Sequence, residues 1–327
     1  MNKHDEDYQK RYDKMLQDVE SLFDNAADNV SRATANAGIK PDDMFKLAAY
    51  PAIAKKISGI VSEFSARLTA TIKTGITDVW NLSNTKNGEM LTGIFDTNIP
   101  KSYAVQNLDA LQALTSGKSS GLSISERVWK IEGNMKGELE RCINAALSEG
   151  KGAPELAREI KKYLKEPDML FRRIRDKEGN LKLSQKALDY NPGRGVYRSS
   201  YQNALRLART ELNKAYRRAD WLQWQNMDFV IGYRIVSSRS VGVCELCSSL
   251  EGPYPKDFYF TGWHPACRCH CESILATQDN SDIISGNYST TQPPIPGAFS
   301  EWLKDNADKI AKSAPNFVAE NMKYVKG

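Results

Sequence analysis

A dense group of cysteines around residue 250 limits the folds open to this sequence more than any other feature. Five of the six cysteines lie between Cys244 and Cys271, and only Cys142 stands apart. The first residues, MNKHDEDYQKRYDKM, are charged and lack the apolar core of a signal peptide, so we expect a protein made in a reducing cytoplasm. In that compartment a tight cysteine cluster indicates a bound metal rather than disulfide bonds.

Two pairs of candidate ligands have the spacing of a zinc knuckle. Cys244-x-x-Cys247 is the first pair, and His264-x-x-Cys267 is the second. Each spacing lets two side chains face one ion from a tight turn. Three thiolates and one imidazole around a tetrahedron are a common structural zinc set, so zinc is the predicted cofactor.

The fourth ligand is open between neighbouring cysteines. Cys267, Cys269 and Cys271 alternate along the chain, and on a strand such neighbours lie about 6.5–7 Å apart on one face. They cannot all bind one ion together with the other three residues. We favour Cys267, which mirrors the first pair, with Cys269 as the alternative. Two competing interpretations are buried free thiols that pack as small apolar groups, and a disulfide.

The donor set favours a structural ion over a catalytic one. A catalytic zinc keeps an open position and has fewer thiolate ligands. The chain has no His-Glu-x-x-His, and it lacks the ordered His-x-Glu and Pro-Cys-x-x-Cys of zinc deaminases. Its only histidines are His4, His264 and His270, so general bases are few. We therefore name no catalytic residue and predict that the chain is not an enzyme.

Apolar residues at spacings of three and four predict long helices in the first third of the chain. One stripe runs from Tyr8 to Val30, and Gly38 with Pro41-Asp42-Asp43 separates it from the next helix. Pro51 kinks or restarts that helix, and a second stripe from Ile53 to Val79 predicts about thirty residues. The polar segment 83–88 is expected to end it.

A second helical region follows residue 122. Ser123 and Glu126 fit a capping box, and Pro154 opens a short helix. The helix that begins at the capping box is expected to bury one face, which consists of Trp129, Met135, Leu139, Ile143 and Leu147. A small hairpin is predicted over 171–184, turning at 177–180.

The strongest predicted helix is 197–224. Its apolar stripe includes Tyr201, Leu205, Ala208, Leu212, Ala215 and Ala219. Arg206, Arg209, Asn213 and Arg217 are expected on the opposite, polar side. Glu211 lies at the edge of the stripe and requires a cationic or backbone-amide partner.

The spacing of apolar residues then changes to two, which indicates strands. Phe229, Ile231, Tyr233 and Ile235 predict one strand, and the alternating cysteines predict a second that pairs with it. We read 277–296 as a linker and the last residues as a helical tail with three anchors, Trp302, Ile310 and Phe317. The predicted fold class is mainly α (α+β), with long N-terminal helices and an α+β module that holds a small β unit and the Cys/His knuckle.

Basic residues are concentrated in the middle of the chain. Between Lys151 and Asp220 there are 18 Lys and Arg against 9 Asp and Glu. This surplus suits nucleic acid or an acidic protein surface, but we favour the simpler interpretation of a solvated helical surface. No window is apolar enough for a membrane helix, so we predict no membrane partner. We also predict no small-molecule substrate.

Three segments resemble a known family. NALRLARTELNKAYRRAD (203–220), VCELCSSLEG (243–252) and HPACRC (264–269) are similar to the head-morphogenesis family of phage minor head proteins, which is related to the F protein of phage Mu. The likeness covers residues 123–275, and Arg209, Thr210 and Glu211 are its helical motif. Cys271 is an extra cysteine beyond the Cys-Arg-Cys ending.

The resemblance implies a low-copy protein at the portal vertex inside the capsid of a tailed phage or prophage. It implies portal and capsid proteins as partners, with non-specific contact to phage DNA as a further role. The expected location is the virion, with the host cytoplasm during assembly. The regions are then a helical arm (1–122), a head-morphogenesis domain (123–277) with the knuckle at 244–271, and a linker with a helical tail (278–327).

Two other functions compete with this hypothesis. A zinc-containing DNA-binding module would use Arg206, Arg209 and Arg217, and its affinity would fall steeply with salt. A nuclease or toxin would use Glu211, Arg209 and His264, and Glu211→Ala would abolish its activity without loss of zinc.

Overall fold

The computed structural model describes residues 3–35, 47–118, 121–148, 153–166, 174–175, 178–179, 181–182, 199–238 and 244–325. The protein is mainly α-helical, with a small three-stranded antiparallel sheet and a two-stranded hairpin. The predicted fold class, mainly α with an α+β module, is confirmed. Among the helices in these ranges, none is long and apolar enough to cross a membrane.

Within the described residues, six α-helices precede the three-stranded sheet. They are α1 (Lys3–Ala35), α2 (Pro51–Phe95), α3 (Leu108–Ser116), α4 (Ile124–Ser148), α5 (Ala153–Lys165) and α6 (Ser200–Gln225). The stripes predicted for α1 and α2 are buried from Tyr12 to Val30 and from Ile53 to Val79. Pro51 is the first residue of α2, so the restart is confirmed. Gly38 and Pro41-Asp42-Asp43 lie outside the described residues.

The predicted break at 83–88 is wrong, because α2 continues through it to Phe95. Ser83 and Asn87 are buried and bind a carboxylate instead of facing water. The Ser83 hydroxyl donates to Asp220 at 2.6 Å, and the Asn87 amide donates to the same oxygen at 3.0 Å. Lys86 adds an ion pair with Asp220 at 2.5 Å. The polar residues of this segment therefore belong to a buried hydrogen-bond network around Asp220.

The chain divides into two compact units, each built from segments that are distant in sequence. Unit 1 comprises Met1–Tyr12, Gly75–Thr115 and Arg209–Gly327, and unit 2 comprises Asp13–Thr74 and Ser116–Ala208. The three regions expected from the sequence follow chain order, and their boundaries stay a prediction.

Unit 2 is a helical core. Phe23 packs edge-on against Phe64 and Tyr201, with ring centroids 4.6 and 5.3 Å away. The capping box of α4 is confirmed: the Ser123 amide donates to Glu126 at 2.6 Å, and the Glu126 amide donates to the Ser123 hydroxyl at 3.2 Å.

One residue predicted for the buried face of α4 is misplaced. Met135, Leu139 and Ile143 are buried, but Trp129 is 70% exposed. The buried stripe passes through Val128, and Trp129 lies about 100° around the helix from it. The burial of Leu147 lies outside the description.

The predicted hairpin is confirmed in unit 2, where β1 (Ile174–Arg175) pairs antiparallel with β2 (Leu181–Lys182). Gly179 in its turn has a φ of 85°. Lys177 and Asn180, which were also predicted in the turn, are outside the described residues.

The sheet of unit 1 has the order β4–β3–β5, with β3 (Val230–Val236) at its centre. Both β4 (Gly252–Pro255) and β5 (His270–Leu275) are antiparallel to β3. The pairing predicted for the cysteine segment is confirmed, with Cys271 opposite Ile235. The strand begins only at His270, so Cys267 and Cys269 precede it. Sequence reasoning missed β4, because its glycine and prolines are turn formers that an edge strand tolerates.

The linker predicted over 277–296 is wrong in part, because this segment folds onto unit 1. It contains α8 (Asn280–Ser285), capped by Asp279 and ended by the left-handed Gly286. Ile283 is buried, and Tyr288 and Ile295 pack against the core cluster. Apolar residues spaced among polar ones bind the segment to the core, which a count of polar residues does not reveal.

The last residues form α9 (Gly297–Asp305), α10 (Ala307–Lys312), α11 (Asn316–Ala319) and a 3₁₀ turn at Met322–Tyr324. The three predicted anchors are confirmed. Phe317 is 2% exposed within the core cluster, and Trp302 and Ile310 pack against it.

Candidate metal centre

The first pair of predicted ligands lies at the start of a short helix, α7 (Glu245–Ser249). Cys244 is its N-cap residue, with φ −76° and ψ 150°. The Cys247 amide donates to the Cys244 sulfur at 3.4 Å. This capping contact brings the two thiols to the same end of the helix.

The second pair lies in the loop that leads into β5, which we call the metal loop (residues 261–269). The Cys267 amide donates to the His264 carbonyl at 3.1 Å, which closes a tight turn. Ala266 within this turn has a φ of 57°. The turn directs His264 and Cys267 toward the thiols of α7.

The imidazole of His264 is oriented for coordination. Its Nε2 atom lies 3.1 Å from the Cys244 sulfur and 3.1 Å from the Cys247 sulfur. Its Nδ1 atom lies 2.9 Å from the Pro265 carbonyl oxygen, to which an Nδ1–H donates. The Nε2 lone pair then faces the two sulfurs, as in most histidine-bound metal sites.

Two groups of candidate ligands share one cysteine. Cys244, Cys247 and His264 form one group, and Cys247, Cys267 and Cys269 form the other; in each, the ligand atoms lie within 4.8 Å of one another. Cys247 is common to both groups. The five predicted metal-binding residues therefore form two overlapping groups that meet at Cys247.

One sulfur–sulfur distance matches that of a tetrahedral zinc site. The sulfurs of Cys247 and Cys267 are 3.8 Å apart. In a tetrahedral site with zinc–sulfur bonds of about 2.3 Å, two sulfurs lie about 3.8 Å apart. Cys267 is buried to 1% exposure and Cys269 to 2%, and the sulfurs of both alternatives for the fourth ligand lie within 4.8 Å of the Cys247 sulfur.

The thiols of the cluster perturb one another. Hydrogen bonds from Cys247 and Cys269 lower the pKa of Cys267, and the charge of Arg217 lowers it further. A thiolate is the form that binds a metal. The surroundings of Cys267 therefore favour its metal-binding form.

One face of α6 holds the backbone of the metal loop. The Thr210 hydroxyl accepts a hydrogen bond from the Ala266 amide at 3.0 Å. The Asn213 amide donates to the Cys267 carbonyl at 2.7 Å. Arg217 donates to the carbonyls of Thr261 and Cys267, at 2.6 Å each, and of Cys269. These three residues follow one another at helical spacing, so the helix carries a row of polar groups complementary to the loop.

Two further contacts define this row. The Tyr8 hydroxyl donates to the Asn213 side-chain oxygen, which fixes the direction of the amide. Gly262 in the loop has a φ of 132°, and a Cβ there would lie 2.6 Å from Arg217 Nη1. The close approach of the guanidinium therefore requires glycine at this position.

The expectation of a solvent-facing polar side on α6 is wrong for two of its four residues. Asn213 and Arg217 are each 4% exposed, because the metal loop covers them. This burial leaves Arg217 no surface for nucleic acid, which corrects its predicted DNA contact. Arg209 in unit 1 and Arg206 in unit 2 are half-buried. Their DNA contact stays a prediction.

Glu211 is buried to 1% exposure, with Lys214 3.9 Å away. The expected cationic partner is therefore confirmed.

Among the described residues, Cys271 belongs to neither group of candidate ligands. It lies on β5 and packs against the core cluster. Sequence reasoning named Thr210 as part of a motif but missed that Thr210, Asn213 and Arg217 act together, although their spacing on one helix face was visible.

Aromatic side chains within and next to the metal loop pack against one another. Trp263 is 3% exposed and packs edge-on against Phe317, with centroids 5.0 Å apart. Phe260 lies 4.7 Å from Trp263 and under the Arg217 guanidinium at 5.2 Å. The C-terminal tail therefore contributes to the core beneath the metal loop.

No protein-family model, curated protein or solved structure matches this chain.

Proposed function

We propose that the Cys/His cluster binds one structural zinc ion through Cys244, Cys247, His264 and Cys267, with Cys269 as the alternative fourth ligand. The donor set supports zinc over harder ions, because thiolates and imidazole are the ligands it favours. Four side chains of the protein suffice to fill a tetrahedron, which supports a structural rather than a catalytic role.

We further propose that the chain is a minor head protein of a tailed phage or prophage that acts in capsid assembly at the portal vertex. One observation carries this proposal: the segments that resemble the head-morphogenesis family form a single site. Thr210 and Arg217 of the helical segment hydrogen-bond the backbone of the HPACRC segment, whose His264 approaches the Cys-x-x-Cys pair. Three motifs that belong to one function are expected to be physically joined.

The proposal assigns distinct tasks to the parts of the chain. Zinc joins α7 to the metal loop, which leads into the three-stranded sheet of unit 1. The long helices supply surfaces for portal and capsid proteins. Contact with packaged DNA is a further role, and Arg217 takes no part in it because it is buried.

Deletion of the coding gene in the phage or prophage tests this function. We expect fewer filled heads by electron microscopy and restoration by the wild-type gene. Cys244→Ser should fail to restore them, whereas Cys271→Ala, outside both ligand groups, should succeed. Mass spectrometry of purified virions should detect the protein. Normal heads without the gene, together with virions that lack the protein, would refute the proposal.

A further inference from the structure

Trp129 of α4 is the most exposed large apolar side chain in the described part of the chain, at 70%. It lies outside the buried stripe of its own helix, which passes through Val128. An exposed leucine is ordinary on a protein surface, but tryptophan is enriched among the residues that contribute most to protein–protein interfaces. Trp129 is therefore a candidate anchor for another molecule.

The surface of α4 one helical turn after Trp129 is open. Gly133 is exposed, and a Cβ at this position would meet no described atom within 4 Å. A glycine inside a helix costs about 1 kcal/mol relative to alanine, and nothing in the described chain occupies the space that it leaves. A second helix can therefore approach closely there and place a large side chain over the glycine.

Two oppositely charged residues lie on either side of this surface. At about 100° per residue, Glu126, Gly133 and Lys136 all lie within about 60° of Trp129 around the helix. The side chains of Glu126 and Lys136 are 44% and 38% exposed. Each makes one ion pair within the chain, Glu126 with Lys118 at 3.4 Å and Lys136 with Glu132 at 2.8 Å. A carboxylate and an ammonium each bind more than one partner, so both can take part in a further ion pair.

These four residues are complementary to a second copy of themselves. In an antiparallel pair of α4 helices with the two-fold axis at the level of Ile131, residues equally far before and after that level lie opposite each other. Trp129 of one copy then lies over Gly133 of the other. Glu126 of one copy lies opposite Lys136 of the other, and the symmetry repeats each contact. A parallel pair would instead place like charges opposite each other.

We propose that the exposed face of α4 binds a second copy of this chain as an antiparallel, two-fold symmetric helix pair. Complementary charge and the match between Trp129 and Gly133 favour this occupant over an unrelated protein. One helix pair buries less than the roughly 800 Å² per partner of a standard stable interface, so the dimer is weak. The inference depends neither on the zinc site nor on a role in phage assembly, because it rests on α4 alone.

Sedimentation equilibrium of the full-length protein tests the proposal, in a reducing buffer that prevents cross-linking through cysteines. Trp129→Ala removes the anchor, and Gly133→Gln fills the space opposite it with a polar side chain that a helix tolerates. Lys136→Glu reverses one charge. Leu108→Ala truncates another exposed apolar residue, 58% exposed on α3, and is the matched control. Circular dichroism melts check that each variant keeps the fold.

We expect a monomer–dimer equilibrium in the wild type. Trp129→Ala should weaken the dimer about thirtyfold or more, as truncation of an interface anchor does, and Gly133→Gln should weaken it similarly. Lys136→Glu should weaken it about fivefold, because it replaces two attractive contacts with repulsive ones. Leu108→Ala should leave it unchanged.

A wild type that stays monomeric at about 300 µM would overturn the proposal and leave the face to a different protein. A dimer that tolerates both Trp129→Ala and Gly133→Gln, or that Leu108→Ala weakens equally, would also overturn it. A dimer that Lys136→Glu does not weaken would overturn the antiparallel arrangement, because a parallel pair only exchanges one like-charge contact for another.

Discussion

Arg217 on α6 donates a 2.6 Å hydrogen bond to the carbonyl oxygen of Cys267 in the metal loop. The same guanidinium also binds the carbonyls of Thr261 and Cys269. A single planar fork therefore holds three points of a loop that carries candidate metal ligands. This geometry needs arginine, because a lysine ammonium is a compact charge that cannot span them.

Arg217→Lys should accordingly lower the free energy of unfolding by about 2–4 kcal/mol, because buried carbonyls lose their donors. Urea denaturation with a fluorescence readout measures the loss. Arg218→Lys is the control, because Arg218 is the next residue in the sequence and its side chain makes none of these hydrogen bonds to the loop. Equal stability of the two variants would contradict the role given to Arg217.

Zinc removal should unfold the metal-site region. Purified wild-type protein should contain about one zinc per chain. A chelator should abolish the cooperative unfolding transition that is followed by the fluorescence of Trp263, because a structural zinc contributes directly to folding. Cys244→Ser should reproduce that loss, whereas Cys271→Ala should retain zinc. Metal content by mass spectrometry is the measurement.

The same measurement assigns the fourth ligand. If Cys267 binds the ion, Cys267→Ser should lose zinc and Cys269→Ser should keep it. The reverse pattern would transfer the assignment to Cys269. Wild-type protein that is purified without chelator and holds no metal would exclude the zinc site altogether.

Gly262→Ala should destabilise the protein by more than the usual cost of a left-handed alanine, which is about 1–2 kcal/mol. Its added Cβ would lie 2.6 Å from Arg217 Nη1 and 3.2 Å from Cys267 Cβ. Gly286→Ala is a matched control, because Gly286 also has a positive φ, 76°, but a Cβ there meets nothing within 4 Å. Thermal melts of both variants should show a clearly larger loss for Gly262→Ala; similar losses would show that the clash is relieved at little cost.

Glu138 in unit 2 should make stability depend on pH. It is 5% exposed, and its carboxylate accepts hydrogen bonds from the amide and hydroxyl of Ser200 at 2.9 and 2.6 Å. Burial raises the pKa of Glu138 from 4.5 to about 7, although the bonds from Ser200 oppose the rise. The folded state therefore binds this proton more tightly than the unfolded state. The resulting stabilisation is complete below about pH 4.5 and is lost as the pH rises to about 7.

Glu138→Gln keeps the shape and removes the titration. Relative to this variant, the wild-type free energy of unfolding should fall by about 3 kcal/mol between pH 4.5 and 7. Denaturant titrations at several pH values measure the difference, in which the other titrating groups cancel. A wild type that gains stability relative to the variant over this range would contradict the raised pKa.

Local patterns in the sequence determined much of the fold. The apolar stripes of α1 and α2 and the capping box of Ser123 with Glu126 depend on residues three or four positions apart, whose geometry a helix dictates. The spacing within Cys244-x-x-Cys247 and His264-x-x-Cys267 is local in the same way. These features could be predicted because nothing distant in the chain is needed to define them.

Contacts between distant residues decided the rest. Helix α2 continues past Ser83 because Asp220, far along the chain, binds the polar groups that were read as a break. Arg217 is buried because the metal loop folds over it, and an arginine on a helix surface carries no local sign of that partner. Burial of a polar side chain costs free energy unless hydrogen-bond partners are in place, and only the tertiary structure supplies those partners.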